Sequence, residues 1–304
     1  MKRVCGISQL ALVSIAVIAL LLTFVVAGAW AESPTWLCVP KTAGKAVTSG
    51  GTSEKANCEK ETTTVELPPA SELPTLVKIL PHLKYEASGI DSQPTIRISG
   101  VNVQIVNGAG TTATTNGKGN LVIGYDEEPG VQTGSHNLIL GGSQRFESYG
   151  GILAGFKNTI SGPWASVTGG YVNTASGEWA SVSGGYGNTA SGERSSVTGG
   201  SESIASKGNA SVSGGAKNTA SGSSASVTGG INNTANSIGA SVSGGSENKA
   251  EDFYASITGG RENKVTTNEW ASVSGGRKNT ASGRYSSIFG GKELTASVEY
   301  EHLP

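Results

Sequence analysis

The tightest constraint on this chain is a period. The stretch "SVTGGYVNTASGEWA" (166–180) returns with small changes through the second half of the sequence. Counted on the valine of its Ser-Val pair, Val167, Val182, Val197, Val212, Val227, Val242 and Ile257 are 15 residues apart; Val273 follows after 16 and Ile288 after 15. On the same spacing, Ile152 heads the column. Eight residues further on lies a second column of Ile160, Ala175, Ala190, Ala205, Ala220, Ala235, Ala250, Val265, Ala281 and Ala296. Each unit thus has two short strands with one inward apolar residue apiece. Ordering a unit costs far more conformational entropy than burying one Val and one Ala returns. A single unit cannot fold, so the units must stack and pair strand on strand. The predicted class is all-β: a β-solenoid of 15-residue coils, with about ten coils at one strand spacing each. So thin an interior also favours lateral packing against further copies of the chain.

Composition supports this reading. Glycine accounts for 45 of 304 residues, with only 5 Phe and 1 Met, which excludes an ordinary large globular core. The net charge of −1 implies no basic face for nucleic acid.

Two further columns have structural meaning. A glycine recurs after each Ser-Val strand, from Gly155, Gly170 and Gly185 to Gly291, where the turn needs positive φ or close backbone approach. Asn158, Asn173, Asn188, Asn218, Asn233, Asn248, Asn263 and Asn279 form an asparagine column, interrupted by Ser203 and ended by Leu294. Stacked amides can satisfy turn backbone that small side chains leave uncovered, so the expected role is structural rather than ligand binding.

The outward rows are the candidate binding features. Ser166, Ser181, Ser196, Ser211 and Ser226 precede the valines. Thr168, Ser183, Thr198, Ser213 and Thr228 follow them, alternating Thr and Ser as if a 30-residue pair of coils had been duplicated. Three readings fit this flat hydroxyl face: a stacking or subunit contact, a surface for a matrix or glycan partner, or an ice-binding array. Trp164, Trp179 and Trp270 share a turn column with Tyr254 and Tyr285, while Phe156, Tyr171 and Tyr186 share another. Such rings can lock subunits together or stack on sugars.

Before the repeat, residues 1–31 read as a signal peptide. Lys2 and Arg3 precede an apolar run from Leu10 to Val26, and Ala29-Trp30-Ala31 offers a cleavage site, with an uncleaved membrane anchor as the alternative. Export, to the cell surface or beyond, is expected in both cases. Cleavage would take the net charge to about −3 and leave two cysteines, Cys38 and Cys58, expected to form a disulfide in an oxidising compartment. Residues 32–70 read as this loop and a linker, and 71–93 as a short helix (Ser71 cap; Leu73, Leu76, Val77 and Leu80 in a stripe; Pro81 as stop) and a connector. Residues 94–150 read as irregular β coils capping the repeat. Ile96, Ile98, Val101, Val103 and Ile105 alternate there, and "GNLVIGY" (119–125) and "HNLILGG" (136–142) resemble richer coils. Regular repeats then span 151–298, and 299–304 form a tail.

Catalytic signals are few. His82, His136 and His302 are scattered, and no nucleophile elbow, phosphate loop or metal-spaced ligand set occurs. Neither an enzyme nor a cofactor is expected, although polysaccharide-processing and phage-fibre-like solenoids remain as further alternatives. Ser166, Val167, Gly170, Ala175 and Gly177 match the S-V-A-I-G-x-x-S-x-A-x-G unit, so the repeat resembles the left-handed parallel β-roll heads of YadA-like trimeric autotransporter adhesins. That resemblance covers 151–298 and implies a left-handed roll, a homotrimer and surface adhesion. Gly169 replaces the family's isoleucine, and the unit is one residue longer. No stalk or barrel anchor is expected after the repeat, so a complete autotransporter is not expected either.

Overall fold

The computed structural model describes residues 35–40, 48–51, 62–67, 73–127, 130–266 and 269–304. The signal segment, its cleavage site after Ala31, Cys58 and the Cys38–Cys58 pairing lie outside the described residues. No helix among the described residues is long and apolar enough to cross a membrane. The chain divides into two compact units, Met1–Val103 and Gln104–Pro304.

In the first unit, strand β1 (Thr35–Pro40) pairs antiparallel with both β2 (Thr48–Gly51) and β3 (Thr62–Leu67). Helix α1 (Leu73–Ile79) is short and passes into a 3-10 turn at Leu80–His82, where Pro81 occupies the tolerated start. The alternating stretch expected as a solenoid coil behaves differently. Strand β5 (Thr95–Ile98) folds back antiparallel on β4 (Leu83–Glu86), and no strand follows at Val101–Ile105. The reason is local. Thr95 Oγ1 accepts the Ile90 N–H at 3.0 Å and donates to Gln93 O at 3.0 Å, closing the connecting loop. The Ser99 N–H donates to His82 O at 3.0 Å and closes the base of the ribbon.

The second unit is a parallel β-solenoid built from two sheets. The Ser-Val strands form a 13-stranded sheet, and the Thr-Ala strands an 11-stranded one. Val167, Val182 and Val197 are successive register partners, as are Ala175, Ala190 and Ala205. The stack is longer than the expected ten coils at both ends. Strands β6 (Leu121–Ile123) and β7 (Leu138–Gly142) head the larger sheet, and His302–Leu303, within the expected tail, supplies its last strand. One column assignment is corrected. Val167 pairs with Leu153, so Leu153 is buried while Ile152 is 42% exposed. The step here is 14 residues rather than 15, and a one-residue slip exchanges the two faces of a strand.

The interior is thin but continuous. Besides the Val and Ala columns, it holds a third apolar column that sequence spacing did not single out: Ala165, Ala180, Ala210, Ala225, Ala240, Ala255 and Ala271. Ser195 interrupts that column; it is 1% exposed and its hydroxyl has no hydrogen-bond partner. The recurring turn glycine meets both expectations at once. Gly215 has φ +84°, and a Cβ there would collide with the carbonyl oxygen of Gly230 in the next coil. Gly215→Ala should therefore cost at least about 3 kcal/mol in chemical denaturation. Ser195→Ala should stabilise by about 1 kcal/mol, because it removes an unsatisfied buried hydroxyl. Equal effects of the two substitutions would contradict this account of the interior.

Candidate functional site

Three outward features surround each coil, and the asparagine column positions them all. Every ladder asparagine is fully buried. Asn173 Oδ1 accepts the N–H of Asn188 at 2.9 Å, while Asn173 Nδ2 donates to Gly169 O at 3.3 Å and to Gly185 O at 3.0 Å. Asn158, Asn188, Asn218, Asn233, Asn248, Asn263 and Asn279 repeat the pattern, and Asn279 Oδ1 finally takes the N–H of Leu294 at 2.9 Å. One amide thus ties its own turn to the coil after it. Ser203 cannot do the same: its hydroxyl donates once, to Ser201 O at 3.3 Å, and receives Asn218 N–H at 3.4 Å, so no donor is left to reach the next coil. The ladder also begins earlier than the repeat does. Gln144 Oε1 accepts Asn158 N–H, and an Asp126 carboxyl oxygen accepts Gln144 N–H at 2.7 Å. A separate pair, Asn120 and Asn137, does the same work at another corner: Asn120 Oδ1 accepts Asn137 N–H, and Asn137 Oδ1 accepts Gly151 N–H, both at 2.9 Å. These are the asparagines of the "GNLVIGY" and "HNLILGG" segments.

The first outward feature is the hydroxyl face of the larger sheet. Ser166, Ser181, Ser196, Ser211 and Ser226 are half-buried and stand in successive register. Thr168, Ser183, Thr198, Ser213 and Thr228 are exposed. Thr168 Oγ1 donates to Ser183 O at 3.2 Å, fixing its rotamer across the coils. Successive members of a row lie roughly 4.8 Å apart along the stack, and the two rows roughly 6.6 Å apart along each strand. No acidic or basic side chain occurs in either row from Ser166 to Ser274. The smaller sheet differs: Lys249 and Lys264 are register partners on it, and Glu251 pairs with Lys264 at 3.0 Å.

The second feature is the turn column of Trp164, Trp179, Arg194, Asn209, Ser224, Gly239, Tyr254, Trp270, Tyr285 and Tyr300, all at positive φ. Glycine and asparagine are the residues that adopt this conformation at least cost, yet six of these ten positions are aromatic. Trp164, Trp179 and Trp270 are 41%, 44% and 52% exposed. Each also has a neighbour along the stack. Trp270 lies parallel to Tyr254 at 4.3 Å, Tyr285 to Tyr300 at 5.0 Å, and Trp164 meets Tyr149 edge-on at 5.3 Å. Arg194 covers Trp179 at 4.6 Å. Arg284 lies over Tyr285 and bonds Glu269 at 3.2 Å; that bond first, then the charge of Tyr285, raises its already high pKa. Each tryptophan thus has one neighbour along the stack and keeps a large share of its surface exposed.

The third feature is the opposite edge. Phe156, Tyr171 and Tyr186 stack there at 5.8 and 5.7 Å, and charged residues follow in later coils, with Arg261, Glu262, Arg277 and Lys278 linked by ion pairs. Among the described residues, no three or more His, Cys, Asp or Glu side chains group as metal ligands.

No protein-family model matches the chain, and no curated protein aligns with it.

The ladder geometry makes opposite predictions for two of its positions. Asn233→Ala removes three hydrogen bonds (Oδ1 to Asn248 N–H; Nδ2 to Gly229 and Gly245) and should destabilise by about 3 kcal/mol or more. Ser203→Asn restores the missing amide and should stabilise by about 1–2 kcal/mol. Denaturant midpoints of the two variants, moving in opposite directions from that of the parent, are the check.

Proposed function

We propose that this is an exported, non-catalytic adhesive module. Its uncharged hydroxyl face binds an extended, hydroxyl-rich surface of the extracellular glycan kind. The observation that carries the reading is an asymmetry. Both sheets are built from the same small strands, and the fold tolerates Lys249, Glu251 and Lys264 on one of them, yet the other keeps nine successive serines before its apolar column, from Ser166 to Ser287. Stability alone does not require that restriction. Parallel rows of donors and acceptors at a fixed spacing suit a ligand that itself repeats, and many weak contacts add up when they engage together. The rims of Trp164, Trp179 and Trp270 border the face and add apolar area beside it. The signal-like N-terminus and the resemblance of the repeat to surface-adhesin heads support export and adhesion.

Sedimentation of the chain with microcrystalline cellulose and with chitin tests the proposal. Depletion from solution should be little changed between low and high salt, because no ion pair is involved. A Thr168→Arg/Thr198→Arg/Thr228→Arg variant should lose binding while its melting transition stays within about 0.5 kcal/mol of the parent, as expected for exposed positions. Thermal hysteresis in frozen solution, abolished by the same triple substitution and without retention on either polysaccharide, would assign the face to ice instead.

A further inference from the structure

One coil of the solenoid, 195–209, departs from the repeat at two buried positions. Ser195 stands in the inner alanine column, and its hydroxyl has no hydrogen-bond partner. Ser203 stands in the asparagine column. Toward the preceding coil nothing is lost: Asn188 Oδ1 accepts the Ser203 N–H at 2.9 Å, and Asn188 Nδ2 donates to Gly200 O at 2.9 Å. Toward the following coil, 210–224, the ladder is reduced to Asn218 N–H donating to Ser203 Oγ at 3.4 Å. One coil later the full link returns, with Asn218 Oδ1 accepting Asn233 N–H and Asn218 Nδ2 donating to Gly230 O, both at 3.0 Å. Other side-chain ties are weak at the same place. No aromatic residue occurs from 187 to 252, so no ring stacks between these coils. The ion pair that crosses here, Lys217 to Glu202 at 3.7 Å, is exposed at both ends and contributes little.

We propose that the contact between coils 195–209 and 210–224 is an opening seam, at which the solenoid parts transiently and reversibly into two stacks that each stay folded. The proposal does not depend on the glycan reading. In a stack whose stability is a sum of nearest-neighbour contacts, internal opening occurs at the weakest of them. The apolar columns do not distinguish this contact, because Val197 pairs with Val212 and Ala205 with Ala220 as in every other coil. What distinguishes it is the amide. The cross-coil Nδ2 bond is absent, and the Oδ1 bond is replaced by a longer one to a hydroxyl. Ser195 adds a bias in the same direction, since parting the coils admits water to its hydroxyl and ends an uncompensated burial. The contacts on either side keep their amides, from Asn188 and from Asn218, so the weakness is confined to one place. Opening there frees the facing edges of Ser196–Val197 and Ser211–Val212 and divides the outward hydroxyl rows into an early and a late segment.

Native-state hydrogen exchange of the full chain, read by mass spectrometry on overlapping peptides, tests this. The amides donated across the seam are those of Ser196, Thr198, Ser201, Ile204 and Ser206. Their counterparts one coil later are those of Ser211, Ser213, Ala216, Thr219 and Ser221. The seam set should exchange at least about tenfold faster than the later set, as expected when a buried cross-coil hydrogen bond is missing. In a Ser195→Ala/Ser203→Asn variant the two sets should exchange at the same rate. If that variant does not fold, the parent profile decides alone. Protection that is even from coil 180–194 through coil 240–254, or lowest at a contact other than the seam, would overturn the proposal. So would a folded double variant whose seam amides still exchange faster than those one coil later.

Discussion

The register of the solenoid rests on a buried amide that recurs from Asn158 to Asn279 in every coil but that of Ser203. Valine and alanine columns define an interior, but they are too small and too alike to fix register alone, and a slip of one residue would turn each strand inside out. The buried asparagine removes that freedom. Its Oδ1 holds the N–H of the next ladder residue, while its Nδ2 bridges a carbonyl of its own turn and one of the coil above. These bonds are made in a dry interior, where an unmade one is costly. The turn glycine belongs to the same device, because the carbonyl that receives Nδ2 is the one a Cβ would strike. Small side chains are thus what the stacking demands. The low apolar content is the condition for close coil approach rather than a deficit in the fold.

Because the interior is satisfied by so few atoms, the outward positions are released from folding duty, and they diverge. One edge trades stacked aromatics for ion pairs along its length: Phe156, Tyr171 and Tyr186 give way to Arg261, Arg277 and Lys292 at equivalent bridges. Exposed pairs of this kind contribute little stability, so either chemistry is tolerated. The turn column is less free. An aromatic residue at positive φ carries a conformational cost, offset in part by stacking on the neighbouring coil. Where no ring stands, the column holds Arg194, Asn209, Ser224 and Gly239, of which Asn209 and Gly239 tolerate the conformation more readily. Against this background the hydroxyl face stands out for its uniformity, with serine before the apolar column in nine successive coils.

The solenoid was legible in the sequence because its period is strict. The Val and Ala columns, the turn glycines and the asparagine row all fall where spacing places them. The reading failed where the period changes or the signal is too small. Counting 15 residues places Ile152 inward, but the first regular step is 14 and Leu153 takes the place. The Ala165 column was missed because an alanine before a serine looks like surface. Strand β5 shows a different limit. Its period-two pattern announces a strand but not its partner, and the partner is β4, only a loop away, rather than a coil of the stack. On the candidate site, the hydroxyl rows were readable as rows. That Trp270 stacks on Tyr254 and that Arg194 lies over Trp179 could be learned only from side-chain geometry.

The start of the solenoid shows how a repeat that needs a predecessor can begin without one. The early coils bury larger residues than the later ones: Ile139, Phe146, Leu153 and Ile160 stand where valine and alanine suffice afterwards. A coil near the end of a stack has fewer neighbours to pair with, so each of its side chains must bury more. The amide ladder begins with a different residue: Asp126 stands at its head and is mostly buried. Its carboxyl oxygens only need to accept, and both do so, one from Gln144 N–H and the other from Gln132 Nε2. Gln144, one methylene longer than asparagine, then spans to Asn158 and reaches Leu140 O and Gly155 O with its own amide. Acceptor, long amide and short amide thus follow one another, and from Asn158 onward the regular unit can propagate itself.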